Sequence, residues 1–419
     1  MTSAKRVLII GGGVIGAACA HWLCEAGAAV TLIERGAFGA GCSHGNCGFV
    51  CPSHILPLAV PGAVGNTLKA LLRPNSPFSI KPRLDPHLWS WMYQFTRRCN
   101  ARDMLSAGLA IQALLDSSRT LYEELFNAGA VAAEWETRGL LFAFDTAAAF
   151  DHFEHTNQEM QQSFGSGAGA TRYDARAVVE LEPALKPTVA GGYHYPGDAH
   201  LRPDRLMASW KAALTARGVT IREQCEFRGF INSGQHPTAA ETSHGPLEAD
   251  SFVVATGAWT PLLKAALGFR LPIEPGKGYS ITMPRPKNCP KIPLIFEEHR
   301  VAVTPMQTGY RIGSTMEFAG YDTSVNRSRL QLLRDGAAHY LMEPFAEPVQ
   351  EEWFGWRPMT YDGKPVIDRS PRHSNVYLAC GHNMLGLSMA PATGKLLAEL
   401  ICGQTPHLPL EPYTARRFV

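Results

Sequence analysis

The apolar positions near the N-terminus follow three successive patterns. Residues 5–10 form a nearly continuous apolar run, which is typical of a buried parallel strand. Residues 14–27 repeat apolar side chains with a helical period, and Gly27 is a suitable stop for that helix. Residues 29–34 return to a strand pattern. This order of strand, turn, helix and strand predicts a βαβ unit.

The next patterns are longer and less uniform. Residues 36–62 have no periodicity and are rich in Gly, Ser, Asn, Cys and Pro, so they predict a long loop that is either functional or disordered. Helical patterns at 86–100 and 103–128 follow, and a strand pattern covers 138–144.

The second half of the chain alternates between strand and helix patterns again. The predicted elements are a helix at 203–217, strands at 218–221 and 247–256, a strand at 376–380 and a helix at 388–402. Residues 277–345 differ, because their short alternating strands and turns predict an antiparallel sheet.

These patterns predict an α/β fold with two interleaved parts. We expect a discontinuous Rossmann-type cofactor-binding domain and an α+β substrate domain that contains a large mixed or antiparallel sheet. The predicted cofactor domain comprises residues 1–85, 197–263 and 350–419, and the predicted substrate domain comprises 86–196 and 264–349.

Composition and charge narrow the classes of partner. The chain has 419 residues, and 39 Lys and Arg nearly balance 37 Asp and Glu without a basic block, so nucleic acid is not an expected partner. The ten cysteines are scattered without a Cys-x-x-Cys pair, which predicts free thiols in a reducing cytoplasm. Lys5 and Arg6 before an apolar run imitate a signal peptide, but glycines interrupt that run and no stretch is long enough to span a membrane.

The turn of the βαβ unit carries a dinucleotide-binding fingerprint. Gly11, Gly13 and Gly16 have the spacing Gly-x-Gly-x-x-Gly, and Glu34 ends the second strand, where an acid accepts from a ribose hydroxyl. The helix N-terminus offers free amides to a pyrophosphate. The fingerprint does not separate FAD from NAD, although Glu34 argues against NADP. The neighbouring cofactor candidates are Val14, Ile15 and Arg35.

Five further segments carry a family resemblance. They are Ser43-His44-Gly45-Asn46-Cys47-Gly48, Leu68-Lys69-Ala70 through Trp89-Ser90-Trp91-Met92, Pro275-Gly276-Lys277-Gly278-Tyr279-Ser280, Trp356-Arg357-Pro358 through Gly363-Lys364-Pro365-Val366, and Gly381-His382-Asn383-Met384-Leu385-Gly386. In this order they resemble the D-amino acid oxidase (DAO) superfamily of flavoproteins, and within it the bacterial D-amino acid and D-hydroxyproline dehydrogenases. The resemblance implies non-covalently bound FAD and the oxidation of a D-amino acid to an imino acid, which hydrolyses to an oxo acid and ammonia where it is acyclic.

Arg357 is the first candidate for substrate contact. It stands in Gly355-Trp356-Arg357-Pro358, which matches the family motif whose arginine pairs with the substrate carboxylate, and an arginine offers a charged bidentate fork for that group. The alternative is an arginine in a surface turn. Tyr279 is a second candidate, or else a packed tyrosine of the sheet. Arg311 and His299 are weaker candidates that could equally be ordinary surface residues.

The resemblance also assigns cofactor contacts outside the fingerprint. The loop before the last helix would aim a helix N-terminus at the flavin, where it stabilises negative charge, although a simple helix entry is the alternative. Its candidates are Gly381, His382, Met384, Leu385 and Gly386. The other candidates are Ser43, Asn46 and Gly48 at the pyrophosphate and ring edge, Phe227 at the adenine, and Thr256, Gly257 and Trp259 in a second flavin motif. Met384 stands near the place where some glycine-oxidising relatives carry a second arginine.

Two parts of the loop region allow other interpretations. Cys42, Cys47, Cys51, His44 and His54 could form a metal cluster, but their spacing is irregular and we predict no metal. The segment from His54 to Phe78 is apolar and basic, and it either covers the flavin or touches the inner face of a membrane. Its apolar and basic residues are Ile55, Leu56, Leu58, Val60, Leu68, Leu71, Leu72, Lys69 and Arg73.

Three hypotheses for the function follow. The first is an FAD-dependent D-amino acid dehydrogenase that transfers a hydride from the substrate Cα to flavin N5, without a dedicated base, and passes electrons to a quinone or carrier. D-Proline and cis-4-hydroxy-D-proline are candidate substrates. The second is an oxygen-using oxidase of glycine, sarcosine or another secondary amine. The third is the flavin subunit of a multi-subunit complex, in which the interface dominates.

Overall fold

The structure is a computed structural model that describes residues 4–65, 67, 76–231 and 234–419. In these residues the strands are β1 Arg6–Ile10, β2 Ala29–Ile33, β3 Phe49–Val50, β4 Phe78–Ile80, β5 Leu140–Phe144, β6 Thr171–Asp174, β7 Gly191–Tyr195, β8 Ala199–His200, β9 Thr220–Arg222, β10 Phe227–Ile231, β11 Ala239–Thr242, β12 Gly245–Glu248, β13 Ser251–Val254, β14 Ile273–Met283, β15 Leu294–Phe296, β16 Val301–Met306, β17 Gly309–Phe318, β18 Glu351–Thr360, β19 Val366–Arg369 and β20 Val376–Cys380. The α-helices are α1 Val14–Glu25, α2 Pro86–Arg98, α3 Ala101–Asn127, α4 Ala147–Phe164, α5 Ala175–Leu181, α6 Pro203–Ala216, α7 Lys264–Leu267, α8 Arg327–Tyr340 and α9 Gly386–Cys402.

The first sheet has six strands in the order β19-β20-β13-β1-β2-β9, and all its pairs are parallel except β19 with β20. Its strands come from the beginning, the middle and the end of the chain, as the interleaved fold predicts. The central strands are buried on both faces, which explains why their sequences are continuous apolar runs.

Helices α1 and α9 cover one face of this sheet at very close range. A Cβ atom on Gly394 of α9 would lie 2.5 Å from the backbone of Ala18 in α1, so only glycine permits this approach. Small residues on α1, among them Ala17, Ala18 and Ala20, fill the interface. The helix that carries the predicted fingerprint is therefore fixed to the C-terminal helix by packing.

The second sheet has nine strands and is mixed. The path runs β18-β14-β17-β16-β15-β5-β7-β6, with β4 paired to β17. Most neighbours are antiparallel, but β15 pairs with β5 and β17 pairs with β4 in parallel. A three-stranded sheet of β10, β11 and β12 and a short ribbon of β3 and β8 complete the fold. The predicted α/β class with a large mixed sheet is confirmed.

The structure differs from the sequence patterns in three places. The single strand predicted at 247–256 is two strands, Gly245–Glu248 and Ser251–Val254, which belong to different sheets. Residues 277–345 are not entirely an antiparallel sheet, because α8 occupies Arg327–Tyr340 and packs its apolar face on the sheet. The strands Phe78–Ile80 and Glu351–Thr360 belong to the nine-stranded sheet, although the predicted boundaries placed both in the cofactor domain. The division into two domains otherwise stays a prediction.

Candidate functional site

A cavity of about 1250 Å³ lies between the two large sheets. One wall is the carboxyl edge of β1, β2 and β13, where open α/β sheets bind their ligands, and the opposite wall comes from β14, β17 and β18. The predicted candidates that line the cavity are Gly11, Gly13, Val14, Ile15, Glu34, Arg35, Ser43, Asn46, Gly48, Phe227, Thr256, Gly257, Trp259, Tyr279, Arg357, His382, Met384, Leu385 and Gly386. Those that do not line it are Gly16, Gly381, Arg311 and His299.

The glycine turn is shaped by close backbone contacts. Gly11 has φ +116°, and a Cβ atom there would lie 2.4 Å from the carbonyl oxygen of Ala255 in the chain after β13. A Cβ atom on Gly16 would lie 1.9 Å from the carbonyl oxygen of Gly11. Gly16 therefore acts by letting α1 pack against the turn, and the first residues of that helix, Val14 and Ile15, line the cavity beside it.

Two polar side chains anchor this turn. The carboxylate of Glu34 accepts hydrogen bonds from the amides of Gly12 (2.8 Å) and Gly36 (2.9 Å), so it is held at the end of β2. The hydroxyl of Ser43 accepts from the amide of Val14 at the start of α1 (2.9 Å). Both side chains are thus positioned by backbone amides on the cavity wall.

The loop that follows Ser43 is held by contacts within it and by side chains of the nine-stranded sheet, such as Ser280, which donates to the carbonyl of Gly45 (2.7 Å). Asn46 donates from Nδ2 to the carbonyl of Cys42 (3.2 Å) and accepts from the amide of Gly48 (2.9 Å). A Cβ atom on Gly48 would lie 2.0 Å from the carbonyl oxygen of Leu201. The glycine at this position is therefore required by the neighbouring chain, and it also lines the cavity.

Two of the cofactor candidates on the cavity wall are aromatic. The guanidinium of Arg35 lies over the ring of Trp259, 4.1 Å from its centre, and Trp259 meets Trp356 edge to face. Phe227 packs edge to face on Phe230, with ring centres 4.9 Å apart. The cavity wall therefore offers flat apolar surfaces together with a cation.

The loop before α9 is tied to the strand that carries Arg357. Asn383, with φ +52°, donates from its backbone amide to the carbonyl of Pro358 (3.1 Å), and its side-chain oxygen accepts from the amide of Thr360 (2.9 Å). A Cβ atom on Gly381 would lie 2.7 Å from the methyl group of Thr360. Gly381 thus permits this contact from outside the cavity wall.

Two other side chains of this loop differ in environment. His382 is buried, its Nε2 lies 3.0 Å from the hydroxyl of Thr393, and burial lowers its pKa to about 3. Its imidazole is therefore neutral at pH 7. Met384 is 46% exposed at the rim of the cavity.

Arg357 presents most of its hydrogen-bond donors to the cavity. Its Nη1 donates to the carbonyl of Thr315 (2.8 Å), and within the described residues its guanidinium has no carboxylate partner. Burial is the main cause that lowers the pKa of Arg357 from its ordinary value, but an arginine keeps its charge in proteins. A Cβ atom on Gly278 would lie 2.3 Å from Nη1, so that glycine provides the space for the guanidinium.

A bulge in β17 supplies the anchor for Arg357. Ser314 and Thr315 have φ values of +115° and +52°, and the register between β14 and β17 shifts at this point. Positive φ at two consecutive residues other than glycine is strained, and such strain is often kept at functional sites. In this protein the strained residues include Thr315, whose carbonyl accepts from the guanidinium of Arg357.

The side chains of the remaining substrate candidates are less available to a ligand in the cavity. The hydroxyl of Tyr279 donates to Glu317 (2.7 Å) and is buried in the sheet, as the alternative interpretation predicted. Arg311 is 1% exposed and donates to the carbonyls of His44 and Asn46, so it is neither a cavity nor a surface residue but supports the loop. His299 contacts the hydroxyl of Tyr340 outside the cavity.

The residues considered as a metal cluster do not come together as a group. Two of them, Cys51 and His54, meet Asp198, with one donor atom from each of the three within 4.8 Å. Both carboxylate oxygens of Asp198 already accept hydrogen bonds from Ser53. In this conformation the group is a hydrogen-bonded network, and its Asp198 was not a candidate from the sequence.

Sequence reasoning also missed three other residues at the cavity. Gly278 and Thr315 position Arg357, and Asn383 connects the last loop to the same strand. Asn383 stands inside a quoted motif, so its position carried a signal. The sequence around Thr315 carried no such signal, because the bulge in the middle of β17 has no distinct sequence pattern.

The segment from His54 to Phe78 is only partly described. Leu68, Lys69, Leu71, Leu72 and Arg73 lie outside the described residues. Of the others, Ile55 is buried against Phe164 and Ala168, whereas Leu58 is partly exposed on the cavity wall. No helix among the described residues is both long and apolar enough to cross a membrane.

Comparisons with known proteins agree with each other. Residues 6–400 match the family model described as FAD dependent oxidoreductase (DAO). The chain is 33% identical to a D-amino acid dehydrogenase of Granulibacter bethesdensis, over 96% of this chain and 97% of the relative, and 32% identical to one of Methylobacterium radiotolerans, over 99% of each. A crystal structure of glycine oxidase from Geobacillus kaustophilus has the same fold, with a TM-score of 0.79, 23% identity and coverage of 99% of this chain and 100% of that one.

Proposed function

The chain belongs to the DAO family of FAD-dependent oxidoreductases, and within that family we propose that it is a dehydrogenase of D-amino acids. The observation that carries the proposal is the guanidinium of Arg357. It faces a large cavity with most of its donors free and, among the described residues, with no carboxylate partner. A half-buried, unpaired cation is costly unless a ligand supplies the missing anion, and every α-amino acid carries a carboxylate.

The residues on the opposite wall fit FAD. At Gly11 and Gly16 the turn has no room for a side chain, and the N-terminus of α1 beside it suits a pyrophosphate. The carboxylate of Glu34 is held where a ribose hydroxyl can donate to it. The cavity of about 1250 Å³ exceeds the common range of pockets for small ligands, so it has room for a dinucleotide and a small substrate together.

The residues of the chain bind and orient the substrate. FAD, when bound, supplies the acceptor for a hydride from the substrate Cα. Arg357 holds the substrate carboxylate in a bidentate pair and so fixes the direction of the Cα–H bond. Since His382 is neutral, the N-terminus of α9 is the nearby source of positive potential for a reduced ring.

The proposal also specifies the kind of substrate side chain and the electron acceptor. A cyclic substrate such as D-proline or cis-4-hydroxy-D-proline is supported by the apolar Met384 at the rim, which demands no second charge on the substrate. Met384 also weakens the alternative of an oxygen-using glycine or sarcosine oxidase that relies on two arginines. The acceptor proposed is a quinone or an electron carrier, and the alternative of a flavin subunit in a complex keeps the same chemistry.

Helix α2 supports contact with a membrane. Its inner face, with Leu88, Trp91 and Phe95, lines the cavity. Its outer face exposes Trp89 and Tyr93, one turn apart. Aromatic side chains of this kind favour a membrane interface, where a quinone is available. Changing both Trp89 and Tyr93 to Glu should reduce co-sedimentation with anionic phospholipid vesicles, and unchanged binding would argue against this face.

The decisive experiment is anaerobic mixing of the purified flavoprotein with a panel of D- and L-amino acids while the flavin absorbance is recorded. We expect D-amino acids to bleach the flavin and their L-enantiomers not to do so. Slow reoxidation in air with rapid reoxidation by a quinone analogue would support a dehydrogenase, and rapid reoxidation by air would support an oxidase. If no amino acid or secondary amine bleaches the flavin, the proposal fails.

A further inference from the structure

A buried hydrogen-bonded network lies next to the cavity and has no part in the site described so far. Ser53 donates from its hydroxyl to Asp198 Oδ2 (2.5 Å) and from its amide to Oδ1 (3.1 Å). The same hydroxyl lies 3.3 Å from His54 Nδ1. Ser53 and His54 line the cavity, whereas Asp198 is 1% exposed and lies behind them. The carboxyl group therefore meets the cavity through the side chains of Ser53, His54 and Cys51, and Ser53 is the one that donates to both of its oxygens.

The network is placed close to the proposed flavin-facing helix. The amide of Cys51 donates to the hydroxyl of Ser388 in the first turn of α9 (3.3 Å). Residues on both sides of this contact line the same cavity as Arg357. The wall around His54 is apolar, since its ring packs 5.8 Å from that of Phe142.

The oxidation creates a need for such an acceptor. A free amino acid binds with an ammonium group, but its Cα can release a hydride only when the nitrogen has a lone pair to form the imine. One proton must therefore leave the nitrogen before the hydride leaves the Cα. Arg357 cannot accept it, because the guanidinium is always protonated.

We propose that Asp198 receives this proton through the hydroxyl of Ser53. The step rests on the proposed function. An N–H bond of the substrate ammonium breaks as its proton moves to Ser53 Oγ, while the Ser53 O–H proton moves to Asp198 Oδ2. The net change is an ammonium and a carboxylate converted into an amine and a carboxylic acid. Loss of the hydride then gives a protonated imine, and Asp198 returns its proton to solvent before the next turnover.

The environments of the neighbouring groups decide between Asp198 and the other acceptors. Burial raises the pKa of Asp198 to about 7, so at neutral pH its carboxylate is present in a large fraction and binds a proton well. Burial lowers the pKa of His54 to about 4, which makes its imidazole a much weaker base. The pKa of the Cys51 thiol is raised well above 9, so it stays protonated. The other groups that face Asp198 are Tyr195, whose pKa burial raises, and Arg119, whose charge stabilises the carboxylate.

The test is the pH dependence of flavin reduction under anaerobic conditions. In the native protein the second-order rate constant should rise with pH through about 7, because the carboxylate must be ionised to accept the proton. Asp198→Asn should lower this rate constant by about 100-fold at pH 7. The deficit should disappear at high pH, where the substrate ammonium loses its proton in solution. Ser53→Ala should behave like Asp198→Asn, and Ser53→Thr, which keeps the hydroxyl, should restore the native profile.

A second measurement does not depend on turnover. Binding of 2-aminoisobutyrate, which has no Cα–H and cannot be oxidised, is measured by calorimetry near pH 8 in two buffers with different ionisation enthalpies. The native protein should release almost no proton to the buffer, because Asp198 takes it. The Asp198→Asn variant should release a proton or bind more weakly. The flavin content of each variant checks that the fold is intact.

Several results would overturn the proposal. One is an unchanged pH profile in a flavin-loaded Asp198→Asn or Ser53→Ala variant. Another is the same profile shift in Glu297→Gln, which removes a half-buried carboxylate of the cavity wall that pairs with Arg300 at 2.6 Å. A stoichiometric metal ion that is lost in Cys51→Ser would show that the group binds metal instead. If no D-amino acid reduces the flavin at any pH, the proposed function itself fails.

Discussion

Arg357→Ala is the substitution that tests the substrate site most directly. Only one of the five N–H donors of this guanidinium is used within the described residues, in the hydrogen bond to Thr315, so the others are available to a carboxylate. Removing one partner of a buried, hydrogen-bonded charge pair costs about 2–5 kcal/mol. Because the cavity wall around Arg357 is largely desolvated, we expect the upper part of that range.

This energy predicts a large kinetic effect. A loss of about 3–5 kcal/mol corresponds to a decrease in kcat/KM of roughly 100- to 4,000-fold. Arg357→Lys should recover only part of it, since an ammonium keeps the charge but not the planar fork. FAD content should stay unchanged, because the cofactor contacts that we propose lie in the fingerprint and in the loop before α9. Arg172→Lys, at a surface ion pair with Asp151, is the matched control and should have native kinetics.

The assay compares a D-amino acid with its methyl ester, which lacks the negative charge. The native protein should prefer the acid strongly. In Arg357→Ala the preference should largely disappear, because the group that recognises the charge is gone. Equal preference for the acid in both proteins would refute the assignment, and so would an unchanged kcat/KM in a variant that retains its flavin.

Three further predictions follow from close contacts. Gly278→Ala should raise KM at least tenfold, with FAD retained, because its Cβ would displace the guanidinium 2.3 Å away; steady-state kinetics and flavin absorbance check this. Gly16→Ala should yield protein with little bound FAD, since its Cβ would lie 1.9 Å from the carbonyl of Gly11, and native FAD content would contradict this. Glu298→Gln should lower the free energy of unfolding at pH 7 by about 1 kcal/mol, because Glu298 accepts from Thr146 and Tyr340. Burial acts to raise the pKa of Glu298, but the hydrogen bonds from Thr146, Asp145 and Tyr340 together outweigh it and lower the pKa. The stabilisation therefore exists above the ordinary glutamate pKa of about 4.3 and is lost as the pH falls through the lowered value, so native and variant urea midpoints should converge in acid.

The elements that the sequence predicted well are those with local causes. Residues 14–27 were expected as a helix, and the helix covers Val14–Glu25. The predicted strands at 5–10 and 29–34 occupy Arg6–Ile10 and Ala29–Ile33. In each case a single pattern of apolar residues, bounded by glycine, specifies both the element and its ends.

Helix α8 was missed although its sequence carried a signal. Leu330, Leu333, Ala337 and Tyr340 have helical spacing, and Asn326 caps the first turn by accepting from Ser328. The surrounding strand patterns hid this period. The parallel pair of β4 with β17 could not be expected in the same way, because it joins residues far apart in sequence and no local pattern specifies the partner.

At the candidate site, too, contacts between residues far apart in sequence could not be predicted. Arg311 and Arg357 were both candidates, and nothing in the residue type separates them. The two arginines differ in how many of their N–H donors are used. Arg311 donates to the carbonyls of His44 and Asn46 and to the hydroxyl of Thr282. Arg357 has one hydrogen-bond partner within the described residues, and it lines the cavity. An arginine whose N–H donors already have partners gains little from binding a ligand. An arginine with free donors gains one charge-assisted hydrogen bond for each donor that the ligand accepts from. The distinction depends on which distant segments supply carbonyl groups, so it arises only when the chain is folded.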